Sequence, residues 1–393
     1  VIESSKIPII GVGEATTPDL VEFLLGTLGV DERELYREVL PTWKLGIRFF
    51  WGAPGPSYFH HPFRGEHLHD AYARRGDHEL QSLASQLMSR DLAPVLRDDH
   101  GRTIPLLATT PYAYHLENAR FVRYLHKLAA RAGVETLDCI VEGATLAADG
   151  SLDHLRTDDG RALRFDLYVD ASGFRALLLE KALGVPFESY ASTLLCDAAV
   201  TFEVPLQGAI EPYTLAETMD AGWCWKTPHV DVNRRGYVFS SRFIDPDAAL
   251  AEARRKNPST PTTEPRIVRF RSGRLRTCWE KNVFGIGNAY AFVEPLESTA
   301  IHMILYEIRE LIDGLSQGMS TAARDRANDR IGAHWDKLRD FLALHHRFNR
   351  KLDTPFWRTS RAEVALHGAE ELLAAYREGA PLTARPDRAR LED

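Results

Sequence analysis

Phe165-Asp166-Leu167-Tyr168-Val169-Asp170 runs directly into Ala171-Ser172-Gly173-Phe174. An apolar segment with β-forming residues ends on an acid and then a Ser-Gly pair, which reads as a buried strand opening into a turn. Upstream, Leu116, Ala119, Val122, Leu125 and Leu128 fall at helical spacing, so the pattern predicts a helix over Tyr114 to Ala132 with Gly133 as its C-cap. A strand-like stretch from Val134 to Val141 follows. Asp149-Gly150 and Asp159-Gly160 then punctuate alternating segments, as in a small antiparallel meander. Downstream, Arg235 to Ser240 reads as a strand, and Val283-Phe284-Gly285-Ile286-Gly287-Asn288-Ala289 as a buried strand opening onto glycines before a helix. From Ala300 onward the pattern is mostly helical. Ile301, Ile304, Leu305, Ile308, Leu311, Ile312 and Leu315 form one apolar stripe, and Arg339 to Arg347 and Glu363 to Tyr376 read as two more helices. Near the start, Gly11-Val12-Gly13-Glu14-Ala15-Thr16-Thr17-Pro18 leads into an apolar helix from about Asp19 to Leu28, closed by Gly29.

Two stretches carry chemistry. In Val293-Glu294-Pro295-Leu296-Glu297-Ser298-Thr299, two carboxylates, a helix-blocking proline and a Ser/Thr cap stand directly before the helix that begins at Ala300. The start of a helix favours an anion, so an anion site beside a glutamate is implied. Taken alone, a Ser-Thr pair there is only a cap. Gly222-Trp223-Cys224-Trp225-Lys226-Thr227-Pro228 places two of the chain's seven tryptophans within three residues, on one face of an extended segment. Taken alone, such a pair is core packing.

The 393 residues, 44% hydrophobic and 26% charged, are those of an ordinary globular protein that buries a large core. The net charge is −7 and the basic residues are scattered, which argues against a nucleic-acid partner and for a small or neutral ligand. Four well-separated cysteines, Cys139, Cys196, Cys224 and Cys278, lack metal-ligand spacing and read as buried thiols in a reducing compartment. There is no metal-site pattern, no membrane-length apolar run and no signal pattern at the start, so the expected location is cytoplasmic. The chain opens Val1-Ile2-Glu3-Ser4 without methionine, in what reads as the tail of a strand, and is expected to be a fragment of a longer protein.

Together the two stretches, in this order, resemble the flavin-dependent tryptophan halogenases. The likeness covers essentially the whole chain and includes Asp353-Thr354-Pro355-Phe356-Trp357. The order helix, strand, meander and buried strand ending in Asp-x-Ser-Gly is, independently, that of FAD-dependent monooxygenase-like folds. The expected fold is therefore α/β and Rossmann-type, with an FAD- and substrate-binding module over 1–300 and a mostly helical region over 301–393. Both are expected to be incomplete at the chain's ends.

What the resemblance implies is specific. Reduced FAD, supplied by a separate flavin reductase, and O2 oxidise a bound chloride or bromide to hypohalous acid. The acid then travels through a tunnel to an electron-rich aromatic substrate, tryptophan or another indole first, in the biosynthesis of antibiotics or other secondary metabolites. The family's essential lysine corresponds to Lys44 in Pro41-Thr42-Trp43-Lys44-Leu45-Gly46-Ile47-Arg48-Phe49. It holds the hypohalous acid by a hydrogen bond or as a haloamine, a role suited to an amine whose charge state shifts on burial. Glu297 matches the catalytic glutamate, which polarises the halogenating species or takes the ring proton, and Ser298 is its polar neighbour. The halide maps to the backbone amides of Thr299 and Ala300, where Ala300 replaces a glycine found in other members. Trp223, Trp225 and Pro228 wall the substrate off from the flavin, with Thr227 in place of a common isoleucine. His61 and Phe63 are the candidates for sandwiching the indole. For the cofactor, Glu3 at the strand end is the candidate partner of the adenosine ribose. Gly11, Gly13, Glu14, Ala15 and Thr16 form the strap along the flavin ring, and Asp170 and Gly287 are further contacts. Two alternatives stay open: a related flavin monooxygenase that inserts oxygen, and a non-catalytic fragment. A homodimer is a further expectation.

Overall fold

The computed structural model describes residues 1–7, 13–63, 82–259 and 261–378; Gly11 lies outside them. Tyr168–Asp170 forms a strand that pairs in parallel with Val283–Gly285, Asp170 opposite Gly285. The acid that ends this strand is buried, and both its oxygens are occupied by the chain that follows. Ser172 N and Oγ donate to Oδ1 at 3.1 and 2.6 Å, and Leu178 N and Leu179 N to Oδ2 at 2.7 and 3.1 Å. Asp170 thus caps the helical turns over Leu177–Ala182, satisfying amides that would otherwise be orphaned.

Helix α1, Pro18–Glu22, continues as a π-helical turn over Phe23–Thr27 before Gly29 takes φ +61°. The helix expected over 114–132 begins only at Asn118. Residues Ala113–Leu116 instead form a strand between Glu14–Ala15 and Thr42–Lys44, and α2 covers Asn118–Arg131. The boundary is set by Glu117, whose carboxylate accepts from Ala119 N and Arg120 N at 3.2 and 2.7 Å. The strand expected over 134–141 is reduced to Leu137–Asp138, paired in parallel with Ile2–Glu3. The meander is present, Val141–Leu146 against Leu152–Thr157 against Ala162–Leu163.

A seven-stranded sheet carries the site. Its strands are β1 (Gly46–Phe50), β2 (Phe59–Pro62), β3 (Ala198–Pro205), β4 (Thr214–Met219), β5 (Gly222–Pro228), β6 (Val232–Phe239) and β7 (Arg266–Arg269). Their order is β7-β3-β6-β5-β4-β1-β2, antiparallel except for the β4–β1 pair. Strand β5 is buried at every position, so Trp223 and Trp225 lie in the middle of the sheet rather than on a rim.

The C-terminal helices are α3 (Ala300–Ser316), α4 (Thr321–Phe348), α5 (Pro355–Ala362) and α6 (Ala369–Arg377). The stretch 339–347 is thus the end of one long helix, and 363–376 divides between a loop and α6. Helix α4 buries Ala323, Ala327, Ile331, Trp335, Leu338 and Leu342. This stripe is thin and begins with alanines among many charges, which is why only its last turns show in the sequence pattern. One core joins Ile47, Phe49, Trp51, Trp223 and Trp225 of the sheet region to Leu296 of the turn before α3 and to Leu338, Phe356 and Trp357 of the helices. The four cysteines are free and buried. Among the described residues no helix is long and apolar enough to cross a membrane.

Candidate active site

Lys44 ends the strand Thr42–Lys44 and is wholly buried, 0% exposed. A buried ammonium needs acceptors. Its Nζ donates to the Thr16 carbonyl oxygen at 2.9 Å, and the Phe63 ring centroid lies 5.2 Å away. Thr16 is itself locked in place, its Oγ donating to Tyr114 O at 2.8 Å and accepting from Tyr114 N at 3.0 Å. Burial pushes the Lys44 amine down to about 7, and the negative charge of Glu297 opposes that shift. At neutral pH the amine is therefore poised between its two forms.

Glu297 has little exposure and is flanked by two histidines. His345 Nε2 lies 2.7 Å from Oε1, and His61 Nδ1 lies 3.1 and 3.2 Å from the two oxygens. Burial alone would raise its pKa. The charge of His61 and the hydrogen bonds from His345 and His61 outweigh burial and hold the carboxylate well below its ordinary range. Lys44, Phe63, His61 and Glu297 thus converge from three separate parts of the chain. His60 points elsewhere and binds Arg48 Nε through its Nε2 at 2.9 Å.

The residues after Glu297 prepare the start of α3. Ser298 takes φ +60°, a left-handed conformation that costs a non-glycine residue about 1–2 kcal/mol. Thr299 occupies the N-cap position, but its side chain makes no capping bond, contrary to the sequence reading of a Ser/Thr cap. With φ −86° and ψ −5° its backbone is already helical, whereas a capping side chain works from an extended backbone. Among the described residues, the amides of Thr299 and of the first turn of this 17-residue helix are therefore not taken by a capping side chain, which suits an anion.

Trp223 and Trp225 are buried with ring centroids 6.1 Å apart. Trp223 Nε1 donates to Glu294 Oε2 at 3.0 Å, and His346 Nε2 lies 3.0 Å from the other oxygen of Glu294. Trp225 lies flat over Gly236, where a Cβ would come within 2.0 Å of the indole. The Pro228 carbonyl accepts from Thr42 Oγ at 2.6 Å, joining β5 to the lysine-bearing strand. Thr227 is buried, and its hydroxyl donates to Arg234 O at 3.3 Å.

The remaining candidates sit around this centre. Gly13, at φ +79°, presses so close to β5 and β6 that a Cβ would meet Arg234, His229 and Thr227 at 2.7 to 3.0 Å. Glu14 is half-buried, its pKa raised by burial, and accepts from Asn118 Nδ2 at 2.8 Å. Ala15 pairs with His115. Asp19 of α1 and His302 in the first turn of α3 are hydrogen-bonded, so the strap helix and the anion-favouring helix meet. Gly287, at φ +56°, donates its N–H to the buried Glu307 at 2.7 Å. Glu3 is exposed and lies 3.2 Å from His126 Nε2. Asp170, with four local donors, is occupied by its capping role.

Sequence reading missed His345, His346 and the support role of Glu294. Its available signal was the His345-His346 pair in the last turn of a helix, where the negative end of the helix favours imidazolium.

The family model described as tryptophan halogenase matches residues 1–390. The tryptophan 6-halogenase ThaL of Streptomyces albogriseolus is 33% identical over 97% of this chain and 77% of its own. The crystal structure of MibH, a lanthipeptide tryptophan 5-halogenase, superposes with a TM-score of 0.91 at 48% identity, covering 98% of this chain and 75% of that one. BrvH, a flavin-dependent halogenase from Brevundimonas sp. BAL3, superposes with a TM-score of 0.86 at 34% identity, covering 99% and 80%. The chain belongs to the tryptophan halogenase family, a family of flavin-dependent halogenases.

Proposed function

We propose that this protein halogenates the indole of tryptophan, with Lys44 holding hypohalous acid and Glu297 taking the proton that the ring loses. One observation carries the reading: a buried lysine beside an ionised glutamate, with His61 and Phe63 at the same place. The balance is aryl–H plus HOX giving aryl–X plus water. The ring carbon attacks the halogen, the X–O bond breaks with the departing oxygen taking a proton from the Lys44 ammonium to leave as water, and the C–H electrons return to the ring as the proton leaves to Glu297, which passes it back to the Lys44 amine.

The residues fit a flavin. Gly13 makes a cradle that a side chain would fill, His229 Nε2 beside it is buried without a hydrogen bond among the described residues, and the strap reaches the start of α3. Gly13, Glu14, Ala15 and Thr16 would hold the ring, with Thr299 and Ala300 amides for chloride or bromide. What reduced FAD supplies there, with O2, is the two-electron oxidation of halide, and a separate reductase supplies the reduced form. The wall of Trp223, Trp225 and Pro228 keeps the substrate from direct oxygenation.

The 48% identity to a halogenase of lanthipeptide tryptophan favours a tryptophan carried in a peptide over the free amino acid. The half-exposed His61 agrees, since an open side admits a chain on both sides of the ring. The test is mass spectrometry of products from the full-length protein with reductase, NADH, O2 and catalase, across a halide series. Free tryptophan and tryptophan-containing peptides are offered side by side. A product carrying chlorine or bromine only when that halide is present is expected. A gain of one oxygen regardless of halide would replace this reading with a monooxygenase.

A further inference from the structure

Glu297 depends on a residue 48 positions away. His345 sits in the last turn of α4, clamped by Phe49 and Phe341 with ring centroids 5.6 and 4.6 Å away. Its own carbonyl accepts from Trp51 Nε1 at 2.8 Å, which fixes the backbone beneath it. The ring's two nitrogens have different obligations. Nδ1 lies 3.0 Å from Phe341 O, a carbonyl that can only accept, so Nδ1 carries a hydrogen. Nε2 lies 2.7 Å from Glu297 Oε1, so a proton must also lie between these two atoms. With neither protonated, two lone pairs would face each other at that distance.

The geometry points to His345 as the positioning residue of the halogenation site: as an imidazolium it holds Glu297 ionised and commits Oε1, so that the substrate's proton falls to Oε2, whose other neighbour is His61 Nδ1 at 3.2 Å. The inference rests on the halogenase reading for its consequence, not for its geometry. The helix end supports the imidazolium, because the last carbonyls of a 28-residue helix favour positive charge. The ionised state of Glu297 agrees with its depressed pKa. Among the described residues, the charged or titratable groups that act on Glu297 are His345 from α4, His61 from β2 and Lys44 from the strand before β1.

Two measurements on the full-length protein test this. In the first, histidine-selective ¹⁵N NMR at pH 7 should show both His345 ring nitrogens protonated in the wild type, and one of them bare in Glu297→Gln. A bare ring nitrogen in the wild type overturns the proposal whether or not the enzyme halogenates. In the second, His345→Gln keeps a donor towards Glu297 but cannot carry charge. Its kcat should fall tenfold or more with KM little changed, and the acid limb of its kcat profile should move to higher pH, because a carboxylate that loses its cationic partner is protonated more readily. A His345→Gln enzyme with wild-type kcat and an unmoved acid limb overturns it. So does a loss of activity matched by an equal loss of folded protein. A wild type that makes no halogenated product at all would instead count against the functional reading.

Discussion

The Nζ of Lys44 and the carbonyl oxygen of Thr16 are 2.9 Å apart and both residues are fully buried, so the strap residue that was expected to border the flavin also anchors the lysine. On the proposed reading, substrate chemistry and cofactor binding therefore share a hydrogen bond. A change that shifts the strap shifts the lysine with it.

The first prediction concerns pH. Burial lowers Lys44 from an ordinary value of 10.5 to about 7. Between those values the unfolded chain binds a proton that the folded chain does not, so this group makes stability rise with pH across that window and fall as pH drops back through it. Lys44→Met should remove that slope. Denaturant midpoints of wild type and variant at several pH values from 7 to 10 should diverge in the wild type's favour as pH rises. A difference of the opposite sign would show the lysine protonated throughout. The same variant should yield no halogenated product, and Lys44→Arg should not restore it.

The second prediction concerns the carboxylate. Glu297→Gln should lower turnover by roughly 10²-fold, the scale of a lost general base. It should also lower the apparent pKa of Lys44, because the Glu297 charge is what opposes burial there. Turnover at several pH values, with circular dichroism as a check on folding, decides this. Unchanged turnover in a folded variant would make Glu297 structural.

How legible the site was in the sequence depended on distance along the chain. Glu297 and the helix after it were readable because the acid, the turn and the apolar stripe lie within twenty residues. Lys44, His61 and Phe63 were placed by family resemblance and then found together, which no local pattern states. The pairing of His345 and His346 was not readable beyond their place in a last helical turn, because their partners are Glu297 and Glu294, far back in sequence and in other elements. The strand Ala113–Leu116 was misread as helix for a similar reason. Its partners, Glu14–Ala15 and Thr42–Lys44, override a helical pattern that α2 alone continues. Asp170 was readable as a strand end, but its four donors come from backbone and side-chain groups whose positions only the fold decides.

A third prediction tests the bed under the tryptophan wall. At Gly236 a Cβ would come within 2.0 Å of Trp225, too close for any side-chain carbon. Gly236→Ala should push the indole from its place, with a destabilisation of about 1–3 kcal/mol as for other overpacked cores. Thermal melting measures the cost. Activity should fall more than folded content does if Trp225 stands in the proposed wall.

The last prediction isolates the other tryptophan. Trp223 Nε1 donates to Glu294, whose second oxygen faces His346, and all three groups are buried. Trp223→Phe keeps an aromatic ring but leaves a buried carboxylate oxygen without its donor, at a cost of about 1–3 kcal/mol. The ring, no longer tethered, should pack less firmly between the two sites. The expected outcome is a lower yield of halogenated product per NADH consumed, with the difference appearing as hydrogen peroxide. Glu294→Gln retains a carbonyl oxygen to accept from Trp223, so its coupling should fall less than that of Trp223→Phe. The comparison needs product, peroxide and NADH measured together in reductase-coupled reactions of the full-length enzyme. If Trp223→Phe couples as tightly as the wild type, the indole N–H contributes only to folding and the wall does not depend on its tether.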